Sequence, residues 1–542
     1  MFLTVTTDAA AAATMAASVV GGVALEPLMD VEAVAEAANA NSNAVHRRNR
    51  SWQCRKDAAD PWRVPGTLQH AVNGDETRYA NRIGNYSKGL PHNSFGEVDA
   101  NAYRSLLDAI GSGNPADFDA IILDGPNKLT NLQGGPAFDL EGADSHALAV
   151  PAPPPIASAE MASEGVEHYW MKLLLDANFL DYDSHPDAAA ASADLNQFGA
   201  DFKGPKAGGQ VTPQTLFRDV LPGATVGPYI SQFLWLNTPV GTQRVERRQR
   251  TFLPDTSHLT SYGNWLAVQN GYFPENAAAD FDPVRRYIRN GRDLAQWVHI
   301  DVLFQAYFNA CLILGTPPGS DPLSGGIGCP PNPGNPYIGN PPHFKALLCE
   351  VASRALKVTW RKKWQVRRLR PEAWGGLVHN QITSNRYPGV IDSRQLNSPA
   401  VARTFTRYGT YLLPQVFPEG SPTHPSYTAA HATVAGACVT ILKALFNENT
   451  VIPNPVVPAP DGLSLAPYTG PALTVGGELN KLASNVAIGR NLAGVHWRSD
   501  TRESMRVGEA LAISILRDQR ACCNEPFKGF TFTRFDGTTV TV

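Results

Sequence analysis

The sequence predicts a mainly α protein built of helical bundles, with long Pro/Gly loops and a few short β-ribbons. Three observations carry this. Apolar residues recur at three- and four-residue spacings through six long segments. Alternating, strand-like runs are few and short. The 46 glycines and 43 prolines gather in a few stretches between the helical patterns rather than spreading evenly.

In chain order, the first helical pattern is "NAYRSLLDAIGSG" from Asn101, followed by "VEHYWMKLLLDANFLDY" from Val166. A longer run, "DLAQWVHIDVLFQAYFNACLIL" from Asp293, reads as one helix, as does the stretch from His343 to Arg370. Two more follow, "AHATVAGACVTILKALF" from Ala430 and "HWRSDTRESMRVGEALAISILRDQ" from His496. "DAIILDG" at Asp119 and the closing "FTFTRFDGTTVTV" alternate enough to be ribbons. The loops from Gly315 to Pro342 and from Asn454 onward are long enough to suggest function rather than mere connection. No repeat or clean linker divides the chain, so residues 46–542 read as a single all-α unit after an Ala-rich arm at 1–45. The arm lacks the basic n-region of a secretory signal and carries Asp8, so it reads as a loose or partner-bound segment.

Composition narrows the partners. A net charge of −3 on 542 residues, 43% apolar and 18% charged, excludes nucleic acid or an anionic membrane as the main target. No segment has the length and apolarity of a membrane span. The seven cysteines include no Cys-x-x-Cys pair, which argues against a zinc or dithiol site. Cys311 and Cys438 sit within apolar helical patterns and read as buried thiols.

Polar chemistry concentrates between residues 343 and 510, in three islands. In "TWRKKWQVRRLRPEAWGG", Lys363 and Arg370 are seven residues apart, about two turns, which predicts one shared helix face. Pro371 predicts that the helix ends at Arg370. In "SPTHPSYTAAHATVAGA", Thr428 is a candidate N-cap, leaving the amides of Ala429, Ala430 and His431 at a helix N-terminus. Such an end binds anions through N–H groups and the helix dipole. In "GRNLAGVHWRSD", His496 and Asp500 stand four apart, where a carboxylate can fix the imidazole tautomer, and Arg490 precedes them. Three cations, two histidines and a helix end suit a compact, highly charged oxyanion such as phosphate or vanadate. No GxxxxGK loop competes with that reading.

In order, the islands read Lys363-x6-Arg370-Pro371, Thr428-Ala-Ala-His431 and Gly489-Arg490-x5-His496-x3-Asp500. This resembles the signature KxxxxxxRP … PSGH … SRxxxxxHxxxD of vanadium-dependent haloperoxidases and the acid phosphatases related to type 2 phosphatidic acid phosphatase. Further stretches, including "NGDETRYANRIGNYSKGLPHNSFGEVD", "RLRPEAWGG" and "EGSPTHPSY", resemble algal and cyanobacterial vanadium bromoperoxidases from about residue 50 onward. The resemblance implies two four-helix bundles, a site at the bottom of a funnel in the C-terminal half, and homodimers or larger homo-oligomers. It implies a vanadate cofactor bonded by His496, with Lys363, Arg370 and Arg490 neutralising its oxygens. His431 would be the acid/base, Asp500 would orient His496, and Trp360 and His424 would shape the halide pocket. The implied reaction uses hydrogen peroxide to oxidise bromide, iodide or chloride to a hypohalous-acid equivalent that halogenates small organic nucleophiles. Vanadium(V) acts in it as a Lewis acid, and Lys363 polarises the bound peroxide. An extracellular or periplasmic location is implied in the same way. Some relatives carry structural calcium, although no ligand run here compels it.

Two departures stand out. One extra residue separates the lysine from Arg-Pro in some algal members, which makes Lys362 an alternative. Lys363 is preferred, because it keeps Trp360 three positions earlier and matches the seven-residue spacing. "TAAH" replaces PSGH, so Ala429 lacks the serine hydroxyl that donates to vanadate, a loss of roughly 1.5–3 kcal/mol. Ala430 keeps the amide of the family glycine but adds a methyl. An acid phosphatase on the same scaffold, with His496 as nucleophile, and a non-catalytic protein are the alternatives.

Overall fold

A computed structural model of the chain describes residues 49–53, 56–57, 71–135, 139, 141–145, 147–274, 280–319, 325–333, 341–522 and 527–542. The Ala-rich arm and parts of the Gly315–Pro342 loop lie outside them. The principal helices are α1 (Ala100–Ser112), α2 (Ala159–Leu173), α3 (Pro186–Asn196), α4 (Tyr262–Gln269), α5 (Gly291–Trp297) and α6 (Gln305–Gly315). They continue as α7 (Pro341–Val366), α8 (Pro371–Ser384), α9 (Pro399–Tyr408), α10 (Ala430–Leu445), α11 (Val475–Ala493) and α12 (Arg498–Cys522).

Helix α10 is the axis of the C-terminal half. Every residue from Ala432 to Leu445 is buried, which suits a mostly apolar helix whose polar members, Thr433, Thr440 and Lys443, are all hydrogen-bonded. Helices α7, α11 and α12 pack around it. A second set of four forms around α2, with α3, α8 and α9 against it, and α11 joins the two sets. A smaller core under α1 gathers Tyr86, Leu90, Tyr103 and Leu106 beside Trp364 of α7. Cys311 and Cys438 are buried in the main core, as their apolar context predicts.

Among the described residues the strands form three antiparallel hairpins: β1–β2 (Thr238–Val240, Gln243–Val245), β3–β4 (Val456–Pro458, Leu465–Pro467) and β5–β6 (Thr531–Thr533, Thr539–Thr541). The last of these is the ribbon expected at the C-terminus. "DAIILDG" is not a ribbon: its start closes the short helix Pro115–Asp119 and the rest is loop. Alternation alone does not supply the partner strand that a ribbon needs.

Three helix boundaries also differ from the periodic reading. The run from Asp293 is two helices, α5 and α6, separated by Val298–Phe304. Helix α7 stops at Val366, where Arg367 turns to a left-handed conformation (φ 50°). Helix α12 begins at Arg498, not His496.

Helices α10 and α12 cross closely at two glycines. A methyl on Gly508 would lie 2.0 Å from the Thr433 carbonyl oxygen, and one on Gly436 would lie 2.1 Å from that of Met505. Both obstacles are backbone, so the helices themselves must separate. Gly508→Ala should therefore destabilise the protein by about 1–3 kcal/mol. Gly111→Ala, with open space around the new methyl, should stabilise it by roughly 0.5–1 kcal/mol. Denaturant unfolding midpoints test the pair, and equal midpoints would refute the close-packing argument.

Candidate functional site

The last turn of α7 carries Trp360 and Lys363. Arg370 is extended (φ −88°, ψ 154°) immediately before Pro371 and caps α8. The two cations thus flank a break in the helix and do not share one face. They converge through the loop Glu419–Tyr427 instead. Lys363 Nζ donates to the carbonyls of Pro425 (2.8 Å) and Ser426 (3.0 Å). Arg370 Nε donates to the His424 carbonyl (3.0 Å), and Nη2 donates to His424 Nδ1 (2.8 Å). Lys362 faces away, donating to the carbonyls of Ser145 and Leu148.

That loop is pinned from below by a buried pair. Lys88 Nζ meets Glu372 Oε1 at 2.7 Å and donates to the carbonyls of Glu419 (2.7 Å) and Ser421 (2.5 Å). Glu372 Oε2 accepts from the Ser421 amide at 2.6 Å. The His424 ring packs edge-on to Trp360, with centroids 4.8 Å apart.

His496 lies in the turn between α11 and α12. Its Nδ1 is 3.2 Å from Asp500 Oδ2, although His496 itself precedes the helix. Asp500 Oδ2 also accepts from the Trp497 amide (3.0 Å), as a capping carboxylate does. Arg370 Nη1 lies 3.2 Å from His496 Nε2 and donates to the Val495 carbonyl at 2.6 Å. A carboxylate at one ring nitrogen and a guanidinium at the other select the tautomer with its proton on Nδ1. Nε2 is left with its lone pair.

Helix α10 opens beside these groups. Its N-cap is Ala429, not Thr428, and no side chain caps it. The Ala429 amide donates to Ser504 Oγ at 2.8 Å, and the first intrahelical bond runs from Thr433 N to Ala429 O. The amides of Ala430, His431 and Ala432 are therefore the unpaired donors that every helix start carries. Thr428 Oγ1 is buried without a partner, which rules out the capping role its sequence position suggests.

His431 Nε2 meets Asp301 Oδ1 at 2.9 Å. Asp301 belongs to the Val298–Phe304 break, and Val298 of the same break accepts from Arg490 Nη1 at 2.8 Å. Periodicity placed Asp301 inside a continuous helix and missed it. The available signal was a lone carboxylate in the apolar run "VHIDVLF".

Lys363, Arg370 and Arg490 are all buried, at 0%, 1% and 6% exposure. The nearby carboxylates are engaged elsewhere, Asp500 with Arg368 (2.6 Å) and Asp301 with His431. Among the described residues none of the three cations forms an ion pair. Burial, with repulsion from Arg370 and Arg490, holds Lys363 well below the usual lysine range. Burial lowers Arg370 to about 10 and also lowers Arg490. Burial and the neighbouring cations hold His424 and His496 well below the usual imidazole range. Arg490 Nε is buried with no partner at all. Such a cluster of buried, uncompensated positive charge can receive an anion.

Known proteins resemble the chain over most of its length. The chain is 33% identical to the vanadium-dependent bromoperoxidase of Corallina officinalis, with 92% of this chain and 99% of that protein aligned. It is 34% identical to that of Ascophyllum nodosum, covering 86% and 87% respectively. The chain belongs to the vanadium-dependent bromoperoxidase family. The family model for the second helical-bundle domain of VCPO matches residues 344–525, from α7 to the end of α12. The fold superimposes on the homohexameric second vanadate-dependent bromoperoxidase of Ascophyllum nodosum with a TM-score of 0.82. That match is at 28% identity and covers 97% of this chain and 95% of that one. Asp301 and the Lys88 anchor lie outside the matched segment, so the candidate site also draws on residues that precede α7.

Burial is the largest influence on His431 and lowers its pKa, while Asp301 opposes it by favouring the charged ring. Removing that opposition leaves burial and the cations Arg490 and Lys363 acting alone. Asp301→Asn should therefore move the His431 titration to still lower pH. NMR titration of the imidazole reads this directly, and an unchanged or raised value would refute the pairing.

Proposed function

We propose that the chain is a vanadate-dependent bromide peroxidase, oxidising halide with hydrogen peroxide to a species that halogenates small organic nucleophiles. The observation that carries this is the set of three buried cations without carboxylate partners, facing a helix N-terminus and an imidazole lone pair. The residues fit vanadate: three fixed positive charges match a compact oxyanion, the unpartnered Arg490 Nε offers a further donor, and neutral His496 offers a nitrogen ligand. When bound, vanadate supplies a Lewis-acidic centre that activates peroxide toward two-electron oxidation of halide.

In this reading the chain's own groups divide the work. Lys363, Arg370 and Arg490 would neutralise charge on the oxyanion, and Lys363 would also polarise hydrogen peroxide held there. His496 presents Nε2 because Asp500 holds the proton on Nδ1. His431, with Nε2 committed to Asp301, takes up and returns protons at Nδ1. His424 and Trp360 form a rigid edge-to-face wall for the halide, kept in place by Arg370. The amides of Ala430 and His431 face the anion from the end of α10. Ala429 contributes no hydroxyl, and its amide is committed to Ser504, so the binding free energy rests on the cations and the helix end.

Hexameric assembly of the Ascophyllum relative supports a homo-oligomer here. No described helix is long and apolar enough to cross a membrane. Structural calcium gains no support from the described residues, among which no three His, Cys, Asp or Glu side chains are grouped to hold a metal. A phosphatase reading shares the cation cage, but alignment over nearly the whole length of bromoperoxidases favours the peroxidase.

Purified protein should brominate a phenolic dye with peroxide and bromide only after orthovanadate is added. Ala429→Ser should tighten vanadate binding by about one to two orders of magnitude, the worth of one restored hydrogen bond to an anion. Vanadate binding without bromination, together with ester hydrolysis, would point to the phosphatase. Absence of vanadate binding would leave a non-catalytic protein.

A further inference from the structure

Helix α2 lies outside the signature segments, yet its residues from Met161 to Lys172 are all buried and it carries four ionisable side chains on one face. Glu164, Glu167, His168 and Lys172 stand at i, i+3, i+4 and i+8. Each grips the turn that carries His496. Lys172 Nζ donates to the Leu492 carbonyl. His168 packs edge-on to Trp497 with centroids 5.1 Å apart. Glu167 accepts from Arg498 Nε at 2.8 Å. Glu164 accepts from the Ser499 amide (2.8 Å) and the Ser499 hydroxyl (2.9 Å).

Glu164 differs from the other three in reaching His496 through a chain of hydrogen bonds by way of Arg368 and Asp500. Its Oε2 takes Arg368 Nη2 at 3.3 Å, while Arg368 Nη1 donates to Asp500 Oδ1 at 2.6 Å and to Ser499 Oγ at 2.8 Å. One guanidinium is thus shared between two buried carboxylates, and Asp500 keeps its other oxygen for His496. With Glu164 absent, Arg368 would belong to Asp500 alone and would draw off the charge that holds the Nδ1 proton.

We propose that Glu164 is a positioning residue for the vanadate site, acting through Arg368 and Asp500 to keep His496 oriented and electron-rich as a ligand. The inference rests on the reading of His496 as the vanadium ligand. It accounts for the double use of this buried carboxylate, whose Oε1 holds the Ser499 amide while Oε2 meets Arg368.

The test compares orthovanadate with inorganic phosphate, by calorimetric titration of the vanadate-free protein. Both anions meet Lys363, Arg370 and Arg490, but only vanadium expands its coordination to take the imidazole nitrogen. Glu164→Gln should weaken orthovanadate binding about tenfold, the lower end of the range for residues that orient a metal ligand. Phosphate binding should stay within about twofold, since the cations are untouched. Ser499→Ala removes the hydroxyl between Arg368 and Glu164 without removing a charge. It should shift the same ratio in the same direction by a smaller factor, and it decides the matter if Glu164→Gln does not fold. An unchanged ratio in the folded variants, or equal loss of both anions, would overturn the proposal while leaving the peroxidase reading intact. A parent protein that binds phosphate but not orthovanadate would sink both.

Discussion

Three cations are held together away from water with no carboxylate to neutralise them, and much of the surrounding architecture follows from that constraint. Lys363, Arg370 and Arg490 are instead solvated by carbonyl oxygens of Pro425, Ser426, His424, Val495 and Val298, which accept their hydrogen bonds without cancelling their charge. The carboxylates that could cancel it are tied to other partners. Asp500 is committed to Arg368 and the His496 ring, Asp301 to His431, and Glu372 to Lys88. An anion arriving in this pocket meets charge whose solvation has already been given up, which is the condition for strong binding in a low-dielectric site.

Such a cage is expensive, and it is assembled by segments far apart in sequence. The C-terminal bundle supplies the cations and both histidine-bearing helix ends. The segments that precede α7 supply the restraints: Lys88 under the loop of His424, the α5–α6 break beneath His431 and Arg490, and the polar stripe of α2 against the turn of His496. A pocket built from the bundle alone would hold the same charges without the groups that keep them in place.

The Thr-Ala-Ala stretch before His431 changes the balance within the cage without dismantling it. Ala429 brings no hydroxyl to the anion, and Ser504 of α12 holds its amide, so the start of α10 keeps its place with no side-chain cap. The fixed cations therefore carry more of the anion's charge than they would beside a hydroxyl donor. On the proposed reading, the Nε2 nitrogen of His496 gains importance as a ligand for the same reason.

The sequence by itself determined the helical class and the three segments from which the candidate site is drawn. Both are written locally, in apolar spacing along each segment and in charged residues at fixed intervals around Arg-Pro, the Ala-rich helix start and His-x3-Asp. It did not reveal where helices stop for tertiary reasons. The left-handed turn at Arg367, the break at Val298–Phe304 and the late start of α12 interrupt patterns whose periodicity runs on unbroken. Nor did it reveal the partners of the signature residues. Asp301, Glu164 and Lys88 look like ordinary charges in apolar or polar runs until folding brings them to His431, Arg368 and Glu372. Only the tertiary structure decided that Lys363 and not Lys362 joins Arg370, because adjacent residues on one helix point about 100° apart and packing alone selects which faces the pocket.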